Sequence, residues 1–277
     1  MSTQLAARLV VGDPAAEATA AAGLAAGAVV GAAFGNFYAI VTRPDLGTVR
    51  AVNELKGRPV DQAGSLTTTP MRIPRAFDWS ALPTGLSAPE MLGLLDELLT
   101  IGPFGFRGPA APDVPDHLTQ LDAGVRTTQV IAPGYTCPSN AFLTAALAAT
   151  GGDWLYITSA NRSRHRTGSA DSPAHWRAAG LRADFGNDPR FLLLEHADEA
   201  AALARHPRHA PMSTTILAFH TLATPGPDGR RRLRVERHGS LPVEAVRATV
   251  QPYGFDLAFG PQARHRLGQR AYLDQPG

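Results

Sequence analysis

Lysine is almost missing from this chain. Lys56 is the only lysine among 26 basic residues, and every other cation is an arginine. Where charge alone suffices the chain uses the guanidinium, so the one retained ammonium marks a position where compactness or mobility of the charge matters. Cysteine is just as scarce. Cys137 stands alone, which excludes an internal disulfide and fits a reducing, cytoplasmic setting. Charge of either sign is low at 18%, and the net of +2 excludes a strongly electrostatic nucleic-acid binder while leaving room for a local basic groove.

A long apolar span is lacking too. The stretch 18–42 carries no formal charge, but it is mostly Ala and Gly and is interrupted by Asn36 and Thr42. It reads as a buried helix followed by a buried strand, so no membrane partner is expected. No Walker or dinucleotide glycine loop is present, no GxSxG elbow and no HExxH. What is abundant is a 44% hydrophobic share with 27 Gly and 23 Pro, the composition of a globular protein rich in ordered turns. At 277 residues, with no repeat and no clear linker, one mixed α/β domain is favoured.

Local pattern places the elements. Asp13 and Pro14 open an Ala-rich helix that Gly27 stops. "AVVGAAF" and "NFYAIVT" read as strands, and "GTVRAVNELKG" as a helix closed by Gly57, with Lys56 and Arg58 at its end. The polar stretch 60–75, with Thr67, Thr68 and Thr69, reads as a mobile loop, and "IGPFGFRGPAAPDVP" as a Gly/Pro connector. Between them "SAPEMLGLLDELLT" has the pattern of an amphipathic helix capped by Ser87. "TTQVIAP" predicts a strand, Ser139 a cap for the helix "NAFLTAALAAT", and "WLYITSAN" a strand running into a loop. "FLLLEH" predicts a buried strand and "DEAAALARH" a short helix. "MSTTILAFHTL" and "RRLRVERHG" predict two strands joined by a turn, and "LPVEAVRATVQ" a final helix. Strand alternation groups Arg231, Leu233, Val235 and Arg237 on one face of a solvated edge strand, with Arg232, Arg234 and Glu236 on the other. Cys137 reads as a packed thiol. His206 and His209 read as structural, because Pro207 breaks the helix that zinc-ligand spacing needs.

Two short pieces carry chemistry together. Lys56-Gly57-Arg58-Pro59 offers two cations flanking a glycine that admits close backbone approach, which suits a polyphosphate. Thr158-Ser159-Ala160-Asn161 places hydroxyls and an amide at the carboxyl end of a strand, where open α/β sheets bind ligands.

"LKGRP", then "ITSAN", "STTIL" and "RHG", in that order across residues 12 to 250, resemble the YrdC-like family of threonylcarbamoyl-AMP synthases. The resemblance implies an α/β fold: a YrdC-like twisted mixed sheet flanked by helices, with a deep basic cavity, over residues 1–250, followed by a 251–277 tail of uncertain structure. It implies an enzyme of the nucleotidyltransferase type that uses ATP, Mg²⁺ bound through the phosphates, bicarbonate and an amino acid, and releases pyrophosphate. By position, Lys56 and Arg58 would hold the triphosphate. Ser159, Asn161, Ser213 and Arg237 would complete the nucleotide pocket, with Tyr38, Asn36 and Thr158 on the substrate side. No protein metal ligand is implied. The Thr-rich loop after Pro59 would shield the labile carbamate from water.

The pattern departs from the family on one side. Ala33, Phe34, Gly35 and Asn36 replace a Pro-Thr-Glu-Thr segment, "VDQAGSL" replaces an Asn-Pro-Leu element, and "IGPFGF" a Trp-Pro-Gly-Pro-x-Thr segment. Ile131 stands where an arginine is usual, and "NRSRHRTG" inserts extra cations after the strand end. The nucleotide elements persist while the amine side has changed, which points to carbamoyl-adenylate formation on a different amine, handed to a downstream carbamoyl-transfer enzyme. Two alternatives stay open: an ordinary threonylcarbamoyl-AMP synthase of the tRNA pathway, and a non-catalytic relative that binds nucleotide or double-stranded RNA.

Overall fold

The computed structural model describes residues 8–163 and 172–272. The cations Arg164 and Arg166 of "NRSRHRTG" lie outside them. The chain is an α/β protein built on one twisted, mixed sheet of twelve strands. The strands are β1 (Leu9–Val10), β2 (Val29–Phe34), β3 (Phe37–Thr42), β4 (Ser65–Thr67), β5 (Phe104–Pro109), β6 (Thr119–Asp122), β7 (Val125–Ala132), β8 (Leu155–Ser159), β9 (Phe191–Glu195), β10 (Ile216–Ala223), β11 (Arg231–Arg237) and β12 (Phe255–Phe259). Across the sheet they run β1-β9-β2-β3-β8-β4-β7-β5-β10-β11-β12, with β6 pairing off the path onto β7.

Helices α1 (Pro14–Ala25) and α4 (Ser139–Thr150) pack on each other, and their alanines permit a close approach. Asp13 caps α1 by accepting from Ala15 N at 3.0 Å, and Gly27 follows its end at φ 103°. Helix α3 (Ala88–Ile101) begins with a full capping box between Ser87 and Glu90 and packs against α7 (Val243–Val250). Every residue of β2 and β3 is buried, so these strands show no polar alternation. No helix among the described residues is long and apolar enough to cross a membrane.

Four sequence-based expectations fail, each for a tertiary reason. Part of the polar 60–75 stretch is β4, an interior strand between β8 and β7, where Thr67 and Thr68 are buried and Thr68 Oγ1 donates to Asp153 O at 2.9 Å. That threonine run is therefore no cover for the cleft. The Gly/Pro connector contains β5, whose glycines answer crowding rather than flexibility: a Cβ on Gly108 would lie 2.2 Å from Phe219. Ser139 caps nothing, since its hydroxyl donates to Ala33 O at 2.5 Å. Finally β11 is not an edge strand, because β12 pairs with it in parallel.

Candidate functional site

The end of α2 (Leu46–Lys56) aims the first cation. Gly57 is left-handed at φ 75°, its N–H donates to Glu54 O at 2.9 Å, and Arg58 N donates to Asn53 O at 2.8 Å. This Schellman closure turns the chain sharply and fixes the root of Arg58. Arg58 Nη1 then donates to Thr158 Oγ1 at 2.6 Å, at the carboxyl end of β8. Its buried Nε has no partner.

Lys56 is placed differently from its neighbour. The side chain is fully buried, and its ammonium donates to the Ser159 carbonyl and lies 3.5 Å from Asn161 Oδ1. Ser159 Oγ donates to the same Oδ1 at 2.5 Å. The lone lysine thus stands behind the strand end and braces its backbone, while Arg58 lines the open space.

Arg237 comes from the far side of the sheet. Two residue steps on β11, Val235 to Arg237, oppose one step on β10, Leu217 to Ile216. Such an irregularity re-aims side chains. It ends the strict alternation that grouped Arg237 with Leu233 and Val235: those two are core, whereas Arg237 enters the cleft. Arg237 Nε donates to Thr214 O at 2.7 Å and Nη2 to Thr214 Oγ1 at 2.9 Å. Gly239 follows because a Cβ there would meet Ser213 O at 2.2 Å. Burial, and then the positive charges of Arg58 and Arg107, press the Arg237 guanidinium down to about 10. Among the described residues neither Arg58 nor Arg237 has a carboxylate within ion-pair distance.

The cleft has two lobes that share Arg58, Ser159, Ser213 and Arg237. The inner lobe is a cavity of about 220 Å³ floored by Phe37, Ala39, Ile131 and Ile157 and edged by Thr158 and Gly64. The outer lobe, about 240 Å³, adds Asn161 to the apolar surfaces of Pro173, Ala174, Met212 and Leu267. Residues of the C-terminal tail close it. Arg266 donates to Gly239 O at 3.0 Å and Ser240 O at 2.6 Å, Leu267 N to His238 O at 2.8 Å, and Trp176 N to Tyr272 OH at 3.1 Å.

The structure therefore brings together Arg58, Thr158, Ser159, Asn161, Ser213 and Arg237, with Lys56 behind them. Tyr38 and Asn36 are elsewhere. Phe37 and Ala39 face the cleft, so strand alternation turns Tyr38 to the opposite face, where its hydroxyl accepts from His196 N at 3.1 Å. Asn36, in the β2–β3 turn, is buried and donates to His209 O at 2.6 Å and Ala210 O at 2.7 Å. Cys137 is buried with its thiol pushed up by burial, as a packed cysteine should be. His206 and His209 are buried too, with ring centres 5.9 Å apart.

Arg107, Gln120 and Gln129 also line the inner lobe and carried no motif. Only the alternation of Arg107 with Gly105 inside an unrecognised strand could have singled one of them out. Asp122, His220 and Glu236 gather their ligand atoms within 4.8 Å, but Arg234 already donates to both carboxylates and lies 3.1 Å from His220 Nε2. A cation is in place there.

These features define an α/β protein with an arginine-lined cleft at the carboxyl end of a central strand. No family model and no curated relative matches the chain. Solved structures do. The fold is similar to that of Sua5 from P. abyssi complexed with L-threonine, at TM-score 0.57 and 18% identity, covering 89% of this chain and 60% of that one. A hypothetical protein from Streptococcus mutans aligns at TM-score 0.58 and 14% identity, over 85% of this chain and 91% of that. Full-length HypF in its phosphate- and nucleotide-bound form aligns at TM-score 0.51 and 14% identity, over 80% and 28%. The fold is thus the one found in Sua5 and the matching part of HypF. This chain spans about 60% of the Sua5 structure's length.

Proposed function

We propose that this protein forms a carbamoyl-adenylate from ATP, bicarbonate and a small primary amine, with release of pyrophosphate. One observation carries the reading: two half-buried guanidiniums, Arg58 and Arg237, share a cleft with no carboxylate partner among the described residues. An uncompensated buried charge is costly, and a polyanionic ligand is what offsets it. The fold shared with a threonine-bound Sua5 and a nucleotide-bound HypF supports the same reading.

The chemistry needs no protein nucleophile. The amine adds to bicarbonate with loss of water to give a carbamate, whose anionic oxygen attacks the α-phosphorus. The new P–O bond forms as the bond to the bridging oxygen breaks, and that electron pair leaves with pyrophosphate. Arg58 and Arg237 bind and orient the phosphates where charge accumulates. Lys56 holds the Ser159 carbonyl and Asn161 and so positions the strand end that faces the nucleotide. The outer lobe offers an apolar, partly enclosed surface for the base, with Leu267 as part of its cover. Neither lobe is lined by a carboxylate, so Mg²⁺ fits as an ion carried by the phosphates, where it supplies charge neutralisation. The mixed anhydride is reactive, which calls for a downstream carbamoyl-transfer enzyme.

The test is pyrophosphate release with ATP, Mg²⁺ and bicarbonate across a panel of small amines and amino acids. Release that needs both bicarbonate and an amine supports the reading. Tight binding of structured RNA with no pyrophosphate from any amine overturns it, and turnover with L-threonine alone returns the protein to the tRNA pathway.

A further inference from the structure

We infer that Asn53 and Tyr156, neither of which lines the cleft, are a positioning pair that sets the aim of Arg58. The inference rests on the functional reading above for what Arg58 grips, and it names the residues that hold the grip steady.

Arg58 leaves α2 on a turn, and the helix closure fixes only its backbone, through Arg58 N on Asn53 O at 2.8 Å. The chain then runs through a loop to β4, and Gln62, Ala63 and Gly64 of that loop edge the inner lobe. Asn53 holds the loop from within. Its Nδ2 donates to Val60 O at 3.0 Å and to Gln62 O at 2.9 Å. An asparagine amide competes for backbone groups, which makes it a poor helix residue, and at the end of α2 that tendency is turned onto the following loop. Asn53 is 1% exposed, so an unmet amide there would be costly, and its Oδ1 accepts from Tyr156 OH at 3.3 Å.

Tyr156 lies two residues before Thr158 on β8, and strand alternation puts both side chains on one face. The ring is fully buried under the loop. A Cβ on Gly64 would lie 1.9 Å from it, so the glycine answers the ring and the loop is fitted over it. Burial pushes the Tyr156 hydroxyl up from its ordinary value, while the charge of Arg58 and hydrogen bonds from Thr158 and Arg58 work the other way. Arg58 Nη1 also donates to Thr158 Oγ1 at 2.6 Å. The contacts close a ring: Arg58 and Thr158 meet the Tyr156 oxygen, Tyr156 meets Asn53, and Asn53 holds the loop that carries Arg58.

Nothing among the described residues steadies the other side of the guanidinium, since the buried Arg58 Nε has no partner. Its aim therefore depends on this ring. A phenylalanine and a leucine would fill the same space with no polar group to satisfy, whereas the polar pair costs desolvation and supplies direction. A second tie on the loop is of another kind. Arg50 and Asp61 pair at 2.7 Å on the outside, with side chains 49% and 69% exposed, where solvent screens the contact.

The experiment compares Tyr156→Phe, Asn53→Leu and the double variant, each in the parent and in an Arg58→Met background. Two readouts are taken: pyrophosphate release with ATP, Mg²⁺, bicarbonate and the amine panel, and calorimetric titration of inorganic pyrophosphate with Mg²⁺. Tyr156→Phe keeps the ring and removes the hydroxyl, and should lower release by about tenfold or more. Asn53→Leu frees the loop and should lower it by about a hundredfold. Each should weaken pyrophosphate binding by at least about fivefold, and the double variant should be no worse than Asn53→Leu alone. In the Arg58→Met background both losses should shrink to within about twofold, because the pair acts through Arg58. Arg50→Ala should stay within about twofold of the parent. Unchanged release and binding in Tyr156→Phe overturns the inference, and so does a loss of the same size in the Arg58→Met background, which marks a purely structural role. Tyr156→Phe decides by itself if Asn53→Leu does not fold. Release that both variants leave intact sinks this inference alone. Pyrophosphate binding weakened in both variants only while Arg58 is present, with no release from any amine, sinks the adenylate chemistry alone.

Discussion

Two pairs of arginines stand in and beside this molecule's cleft, and the fold treats them in opposite ways. Arg107 and Arg234 are tied into a closed network: both donate to Glu236, and Arg234 also donates to Asp122, which accepts from His220 Nε2 at 2.9 Å. Two cations meet two carboxylates there. Arg58 and Arg237 meet only neutral oxygens, Thr158 Oγ1 and the Thr214 carbonyl and hydroxyl, and Arg237 is pressed downward by burial and by its like-charged neighbours. The paired arginines need no ligand to be stable, whereas the other two are held in a state that an anion would relieve. A charge network that is complete holds its arginines without a ligand, and one left incomplete is where the proposed anion would bind.

The sharpest way to break this contrast is to delete its two halves. Arg58→Met or Arg237→Met should lower pyrophosphate release by about a hundred- to a thousandfold. The ligand-free protein should melt no lower than the parent, because an uncompensated charge has gone. A calorimetric scan beside the release assay checks both, and a clear fall in the melting midpoint would show that these arginines are structural after all. Glu236→Gln should do the reverse. It leaves Arg107 and Arg234 short of a partner, and urea unfolding should report a loss of about 3–5 kcal/mol.

A third group sharpens the contrast because it is buried and uncharged. Burial lowers His196 and His209 from 6.5 to about 4. Between pH 6.5 and about 4 the unfolded chain binds protons that the folded chain refuses, so stability falls as the pH falls through that window. From pH 6.5 to pH 5 the loss is about 2 kcal/mol per histidine at 1.36 kcal/mol per unit, read from urea midpoints at the two pH values. His196→Gln should remove its share of the slope. The lysine should show a comparable effect on stability and a small one on turnover. Lys56 is fully buried, so Lys56→Arg forces a larger head behind Ser159 and should cost about 1–3 kcal/mol of unfolding free energy. Turnover should fall less than in Arg58→Met. Equal losses would place the ammonium on the phosphates themselves.

How far the sequence could be read follows from where each signal lives. Helices α1, α2 and α3 were legible because capping is local: Asp13 and Pro14 open α1, Ser87 and Glu90 close a capping box, and Gly57 ends α2 with a left-handed residue, whereas the uncapped helix Ala178–Phe185 was not read from the sequence. The strand-end residues Thr158, Ser159 and Asn161 were legible for the same reason. Strands β4 and β5 were not. Their threonines and glycines carry turn statistics, and only the neighbours β8, β7 and β10 make them interior strands. Tyr38 and Asn36 were misplaced because position in a motif does not say which face of β3 meets the cleft. Arg107, Gln120 and Gln129 were missed because three strands and a hairpin bring them together.

Sequence by itself determined the α/β class, the boundaries of α1, α2 and α3 and the KGRP and TSAN elements, since those rest on contacts within a few residues. Tertiary structure decided which cations are answered by carboxylates and which are not. Ion pairing depends on strand order and on one irregularity between β10 and β11, and neither leaves a trace in local pattern.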